Sequence, residues 1–529
     1  MALVCVSITA TSTGAAQAEI DIAESNEAEM VELRLDFLAE GENWESLVSY
    51  GKLPKIVTNR ASWEGGNSDE SEEVRLGKLI RALDIGADFI DVELKAAETY
   101  EQLIQGTPKK GLKILSYHDF EKTPSLEELS QIYAKMLEKG ADLCKIAVTA
   151  NDISDCARVL HVLQAATNPT IMLAMTERGM LTRLLAGKYG SMLTFCSTNS
   201  GKESAPGQIA VAELRSLYRF KSIENLTKVY GIIGNPVSHS MSPAIHNAAF
   251  KHRKVDAVYI PLLVDDVEKF LKSFDEFKFN GFSITIPHKE AALKCVDVVD
   301  EVAERIGAIN TIVRLKDGRT KGYNTDWMAA IGAVERALLS LDPEYRRRQE
   351  APLRIREDEG VERPLNGKHV VLVGAGGAAR GMAFGAVERG AKALTIVNRT
   401  MERAEKLVGE MKSMGKPCEC TAMSIAAFQA GEAGEFDVVM NSTSIGMHPN
   451  EGDTPVDSDL LSESMVVFDA VYNPRETRLL REAKDKGCVV VDGVEMFVGQ
   501  ALKQYELWTE TKPPKSVMED AVLRGLKLK

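Results

Sequence analysis

Lys145 interrupts an otherwise apolar run, Leu143-Cys-Lys-Ile-Ala-Val148, and His118 follows another, Ile114-Leu-Ser-Tyr117. An amine in such a run loses hydration, which favours its neutral, nucleophilic form, and an imidazole nearby can carry protons for it. A lone lysine there reads more simply as a strand-end cap, or as the ion-pair partner of Asp142. Charges gather at other run ends too. Glu32-Leu-Arg34-Leu-Asp36 places three charges on one strand face by period-two alternation. Arg60 follows Lys55-Ile-Val-Thr-Asn59, with Glu64-Gly-Gly just beyond.

A second constellation is built for phosphate. Val370-Val-Leu-Val-Gly-Ala-Gly-Gly-Ala-Ala-Arg380 is a Val-rich strand candidate running into glycines. Gly374, Gly376 and Ala379 fit G-x-G-x-x-G/A: a tight turn, close backbone approach to a pyrophosphate, and close helix packing. Ala375, Gly377 and Ala378 complete the loop, and helix-compatible sequence (Gly381 to Glu388) follows, its N–H groups aimed at phosphates. The next strand candidate, Ala393–Val397, ends in Asn398-Arg399-Thr400. An acid there would bind a ribose 2′-hydroxyl, whereas Arg399 suits a 2′-phosphate, so NADP is the expected cofactor. Arg403, one helical turn on, reads equally as a second phosphate clamp or as a solvated helix face.

Between these stretches, Ser240 and Ser242 precede a helix candidate opening at Pro243 (Ala244–Phe250), where hydroxyls bind an anion or cap the helix. Capping explains Ser242 without requiring Ser240. Gly281-Phe-Ser-Ile-Thr285-Ile-Pro-His-Lys289 reads as a strand broken at Pro287, and Asn310 and Asp326 come from two later loops. Singly, such Lys and Asp residues read as solvated surface charges.

The elements that must carry these residues follow a regular order. Apolar runs at Leu3–Ile8, Val31–Leu35, Lys55–Thr58, Phe89–Val92, Lys113–Ser116, Leu143–Val148, Thr170–Met175 and Ser191–Phe195 alternate with helical stretches. That pattern predicts an α/β chain whose residues 1–222 form a (β/α)₈ barrel, with its chemistry at the strand ends. The pattern restarts at Leu226–Ile233, which places a boundary near 222–227. Residues 228–340 then form a second domain, completed by 493–529, and 366–492 a Rossmann-like NADP domain. The C-terminal helical stretches Gly493–Trp508 and Ser516–Lys527 are expected to pack back on the second domain. The charged, Pro-containing stretch from Leu341 to Gly367, with Arg346-Arg-Arg348 beside Glu350, reads as a solvated connection.

Composition limits the partners. A length of 529 residues requires several domains, and a formal charge of −13 argues against a general nucleic-acid binder. No apolar run approaches a membrane span. The eight cysteines are scattered, so neither a structural disulfide nor a metal site is expected. No Lys or Arg precedes Arg34, which leaves no secretory or transit signature.

Glu32-x-Arg34, Arg60-x-x-x-Glu64-Gly-Gly, His118-Asp-Phe-x-Lys-Thr-Pro124, Lys145 and Ser204-Ala-Pro-Gly-Gln208 together resemble type I 3-dehydroquinate dehydratase. The resemblance implies that Lys145 forms a Schiff base with the substrate ketone, that His118 shuttles the proton, and that Glu64 orients His118. It also implies that Glu32, Arg34, Arg60, Arg183, Ser204 and Gln208 hold the substrate's carboxylate and hydroxyls. Thr182 stands where that family usually has Ser, which leaves the motif intact.

The second half resembles shikimate dehydrogenase through the Ser240, Thr285, Asn310 and Asp326 signatures, Asn441-Ser-Thr-Ser-Ile-Gly-Met447, Val471-Tyr-Asn-Pro474 and Gly499-Gln500-Ala. This implies Ser240 and Ser242 on a carboxylate, and Thr285, Asn310, Asp326 and Gln500 on ring hydroxyls. Lys289 and Asp326 form the polar pair at the reacting C–O, Tyr472 and Gln504 complete the substrate site, and Gly493 joins the cofactor site. Ala329 departs from an expected Gly. The order of the two halves resembles the bifunctional plant enzyme, acting on 3-dehydroquinate, 3-dehydroshikimate and shikimate, and a monomer is expected. Quinate dehydrogenase and a non-catalytic metabolite sensor are the rival readings. Serine at 242 and threonine at 285 crowd the extra hydroxyl of quinate and favour shikimate. By the same resemblance the compartment is the plastid stroma if a presequence was removed, otherwise the cytoplasm.

Overall fold

The computed structural model describes residues 2–106, 108, 110–341 and 363–527, so most of the Leu341–Gly367 connection lies outside the described residues. Two compact units account for the chain. The first comprises Met1–Pro243 and Lys254–Phe279, the second Ala244–Arg253 and Asn280–Lys529.

The first unit is a (β/α)₈ barrel with strands β1 (Leu3–Ile8), β2 (Met30–Arg34), β3 (Lys55–Thr58), β4 (Phe89–Glu93), β5 (Leu112–Asp119), β6 (Leu143–Thr149), β7 (Thr170–Met175) and β8 (Leu193–Cys196). They pair in parallel in the order β7-β6-β5-β4-β3-β2-β1-β8. At the seam between β7 and β8, Met192 N–H donates to the Thr170 carbonyl at 2.8 Å.

The pleat explains how one barrel is both core and active site. Cys5, Met30, Ile56, Phe89, Ile114, Leu143, Ile171 and Leu193, one from each strand, join in a single buried apolar cluster. Side chains two residues further along a strand share its face. Those positions are Ser7, Glu32, Thr58, Asp91, Ser116, Lys145, Leu173 and Phe195. Two more residues on, β2, β4 and β5 reach Arg34, Glu93 and His118, while Arg60 lies just past β3. An apolar floor therefore carries a charged layer, buried except toward its rim, where Arg34 and His118 are half-buried. The unit also contains β9 (Lys228–Gly234) and β10 (Ala257–Leu263), paired in parallel, and Arg178 pairs with Asp265 at 2.8 Å.

In the second unit, β11 (Gly281–Ile284), β12 (Val298–Val299), β13 (Thr311–Arg314) and β14 (Thr320–Tyr323) form a mixed arrangement. β13 is antiparallel to β11 and β14, and β12 is parallel to β14. A fully parallel sheet follows, from β15 (His369–Val373), β16 (Ala393–Val397), β17 (Glu419–Met423), β18 (Val438–Asn441), β19 (Val466–Asp469) and β20 (Val489–Val491). Its order is β17-β16-β15-β18-β19-β20, the doubly wound arrangement with its switch point between β15 and β18. Val, Leu and Ile dominate the central strands β15, β16, β18 and β19, matching burial on both faces, whereas the edge strand β17 exposes Glu419 and Thr421. The helix Gly493–Thr509 packs back on the mixed strands, with Trp508 Nε1 donating to the Ile312 carbonyl at 3.0 Å. Among the described residues, no helix is long and apolar enough to cross a membrane.

Candidate active sites

Nine of the residues singled out in the barrel line one pocket: Glu32, Arg34, Arg60, Glu64, His118, Lys145, Arg183, Ser204 and Gln208. The setting of Lys145 differs from the apolar one expected. Its Nζ lies 2.8 Å from Asp91 Oδ2 and 3.1 Å from Glu32 Oε1, with the Phe195 ring centroid 4.4 Å away. Nor is Asp142 its partner, because Asp142 Oδ2 accepts the Lys113 N–H at 2.8 Å.

Asp91 is the residue that sequence reasoning missed. It is fully buried, and its other oxygen accepts from Arg60 at 2.6 Å and from Ser116 Oγ at 2.6 Å. Burial alone would raise its pKa, but the Arg60 guanidinium and Lys145 hold its carboxyl well below the usual range. Glu32 behaves likewise, with Lys145 and Arg34 overcoming burial to keep its pKa low. Glu93, also missed, pairs with Arg60 at 3.0 Å and with Arg75 at 2.7 Å.

His118 Nδ1 lies 2.9 Å from Glu64 Oε1, and the same oxygen accepts the His118 backbone N–H at 3.1 Å. Burial, reinforced by the charges of Arg60 and Lys145, pushes the imidazole well below its ordinary pKa. Burial also pushes the Glu64 carboxyl up to about 8 against the pull of Arg60. Both directions favour an uncharged pair over an ion pair. Because Oε1 is already an acceptor, the tautomer that fits carries hydrogen on Nδ1 and leaves the Nε2 lone pair free.

Arg183 is buried and lacks a carboxylate partner among the described residues. It reaches only the Phe195 and Pro206 carbonyls, each at 3.5 Å, and its Nε has no acceptor. Desolvation lowers its pKa to about 10. A buried guanidinium without a counter-charge is costly unless an anion comes to it. Arg34 is already held by Asp36 at 2.8 Å. Gln208 Nε2 donates to Ser204 Oγ at 2.8 Å, closing the loop that carries both.

In the second unit, Lys289 Nζ lies 2.5 Å from Asp326 Oδ2, and Asn310 Nδ2 donates to Asp326 Oδ1 at 2.8 Å. Thr325 N–H fixes Asn310 from the other side at 2.8 Å. Thr285 is half-buried at the end of its strand. Gln504 is turned away from substrate duty: it is fully buried, accepting from Ser283 Oγ at 2.9 Å and donating to the Asn310 carbonyl at 3.2 Å. Gln500 Nε2 bonds the Phe497 carbonyl at 2.9 Å, and Tyr472 stacks on Phe497 with ring centroids 4.7 Å apart. In the first unit, Ser240 Oγ accepts the Ser242 N–H at 3.2 Å where the helix Ser242–Arg253 begins. Ser240, rather than Ser242, therefore caps that helix.

The glycine loop fits a dinucleotide. Gly374 has φ +113, and a Cβ there would meet Ser442 Oγ at 2.3 Å, so only glycine serves. At Gly376 a Cβ would meet nothing within 4 Å, which leaves open space beside the N-terminus of the helix Gly377–Glu388. That helix starts four residues earlier than the sequence suggests. Arg399 and Arg403 are exposed and have no carboxylate partner among the described residues. Asn398 Nδ2 braces the turn by donating to the Thr400 carbonyl at 2.8 Å. Gly493 lies against the Val471 carbonyl, 2.5 Å from where a Cβ would stand.

Family models match successive stretches of the chain: type I 3-dehydroquinase over residues 4–225, the shikimate dehydrogenase substrate binding domain over 232–312, shikimate/quinate 5-dehydrogenase over 358–477, and the shikimate 5′-dehydrogenase C-terminal domain over 493–523. A chloroplastic bifunctional 3-dehydroquinate dehydratase/shikimate dehydrogenase of Arabidopsis thaliana is 44% identical over 521 residues, covering 97% of this chain and 83% of that protein. A shikimate dehydrogenase (NADP(+)) of Bacillus anthracis is 37% identical, covering 57% of this chain and 99% of its own length. The shikimate 5-dehydrogenase of Thermus thermophilus, solved with NADP(H) and shikimate, is 30% identical with a TM-score of 0.45, covering 56% of this chain and all of that one.

Proposed function

We propose residue roles from the premise that the chain belongs to the bifunctional 3-dehydroquinate dehydratase/shikimate dehydrogenase family. It is an enzyme of two consecutive steps, a dehydration of 3-dehydroquinate to 3-dehydroshikimate and an NADPH-dependent reduction to shikimate. The dehydratase is assigned to residues 1–222, the shikimate-binding part to 228–340 with 493–529, and the cofactor part to 366–492.

In the dehydration, Lys145 sheds a proton, with Glu32 and Asp91 the carboxylates in reach, and its amine attacks the substrate ketone. Loss of water leaves a cationic imine, which acidifies the neighbouring C–H. His118 Nε2 removes that proton, giving an enamine, and returns it to the departing hydroxyl, which leaves as water. A second water hydrolyses the imine and restores Lys145. Arg183 binds the substrate carboxylate, with Ser204, Gln208, Arg34 and Arg60 around the ring.

For the reduction, Gly374–Ala378 and the helix behind them suit the pyrophosphate, and Arg399 suits the 2′-phosphate, with Asn398, Thr400 and Arg403 beside it. Bound NADPH supplies the hydride. Lys289, held by Asp326, donates a proton to the carbonyl oxygen as its negative charge develops. Ser240 and Ser242 are assigned to the carboxylate, and Thr285, Asn310 and Gln500 to hydroxyls. The plastid is the proposed compartment, after the chloroplastic relative, and a monomer the proposed state.

The buried guanidinium of Arg183, in the Lys145 pocket and without a carboxylate partner among the described residues, carries this reading. The test is a coupled assay: 3-dehydroquinate as sole substrate should drive NADPH oxidation, and borohydride added with it should fix substrate mass on the Lys145 peptide. Absence of both rejects the reading.

A further inference from the structure

The fingerprint needs small residues at 374, 376 and 379, yet position 377 is also glycine. Its backbone is ordinary helix, the first residue of Gly377–Glu388, so no conformational demand explains it. Space does. A Cβ at 377 would stand 3.1 Å from Lys289 Cβ and 3.2 Å from Lys289 Cδ. Lys289 cannot simply retreat, because its backbone carbonyl is fixed by the Ile309 N–H at 2.9 Å and its Nζ by Asp326 at 2.5 Å.

The same helix face continues at the helical spacing i, i+4, i+8. A Cβ at Gly381 would stand 3.3 Å from Trp327 Cβ and 3.6 Å from Asn324 Oδ1, and one at Gly385 would stand 2.4 Å from Ile331 Cγ1. Asn324 Oδ1 in turn accepts the Asp326 N–H at 3.1 Å, at the start of the helix Asp326–Leu341. Lys289 is thus seated directly against the glycine seam of the cofactor helix, and Asp326 is tied to it through Asn324, whose side chain lies by Gly381.

We infer that Gly377, besides its place in the loop proposed for the pyrophosphate, is a positioning residue for Lys289 in the reduction. This rests on the proton-donor role proposed for Lys289. A methyl at 377 pushes the lysine stem off the helix and loosens Nζ from Asp326, while the backbone N–H groups facing the pyrophosphate stay in place. Misplacement of a reacting group by a fraction of an ångström to 1 Å costs up to about 100-fold in rate.

The test is Gly377→Ala in the full chain. The expected result is a kcat for NADP-dependent shikimate oxidation lowered about tenfold with the Kd for NADP⁺ held within about twofold. Dehydratase turnover on the same chain should be unchanged. Gly409→Ala, on the helix Met401–Ser413 with nothing within 4 Å of its Cβ, should leave every parameter unchanged. An unchanged kcat in Gly377→Ala, or a loss of NADP⁺ affinity, overturns the inference. Lys289→Ala measured in parallel separates the two claims, since full kcat in that variant sinks the proton-donor role itself.

Discussion

Asp91 and Lys145, on strands not adjacent in the barrel, meet at 2.8 Å at the floor of the pocket, and Asp91 binds Arg60 with its other oxygen. One buried carboxylate thereby sets the position of the proposed nucleophile and of the arginine beside it. Removing its charge leaves two buried cations short of a partner.

Asp91→Asn is expected to destabilise the barrel by about 3–5 kcal/mol, the usual cost of breaking a buried pair. Dehydratase kcat should fall and shikimate dehydrogenase activity should persist. Urea unfolding with both assays checks this, and dehydratase parameters equal to the parent would show that Asp91 does not position Lys145.

Much of this pocket is legible in the sequence because period-two alternation reports a strand face. Glu32 and Arg34 appear that way, and Phe89-Ile-Asp-Val-Glu93 carries the same signal for Asp91 and Glu93. Reading that run as an apolar strand passes over them, since alternation names the face but not the barrel interior, where buried arginines demand counter-charges. Helix spacing likewise puts Gln500 and Gln504 on one face. Which partner meets that face is a tertiary fact, and for Gln504 it is the backbone of Asn310 and the Ser283 hydroxyl. The cap made by Ser240 is hidden for the same reason: the helix start decides it, and sequence bounds that start only to within a few residues.

The Glu64–His118 pair predicts a pH dependence. Glu64, raised by burial to about 8, ionises as pH climbs through that value, and its carboxylate then makes His118 Nε2 more basic. Dehydratase kcat/KM should rise to a plateau across this range, and Glu64→Gln should abolish the inflection. Linkage has the opposite sign for stability. A raised carboxyl contributes stability that is fully present below its unfolded pKa, near 4.5, and lost as pH rises through about 8. A kcat/KM profile identical in parent and variant would refute the assignment.

Arg399 is exposed at the end of β16, the position proposed for the 2′-phosphate. Arg399→Asp should weaken NADP⁺ binding by about 2–3 kcal/mol, a charge-assisted bond lost and a repulsion gained, while NAD⁺ kinetics stay nearly unchanged. Equal NADP⁺ affinity in parent and variant, by titration, would remove Arg399 from the cofactor site.

The most direct test of the whole account divides the two reactions between variants. Lys145→Ala should reduce 3-dehydroshikimate but ignore 3-dehydroquinate. Lys289→Ala should convert 3-dehydroquinate and let 3-dehydroshikimate accumulate. Mixed, the two should restore NADPH oxidation from 3-dehydroquinate. Conversion of 3-dehydroquinate to shikimate by either variant alone at the parent rate would contradict the account.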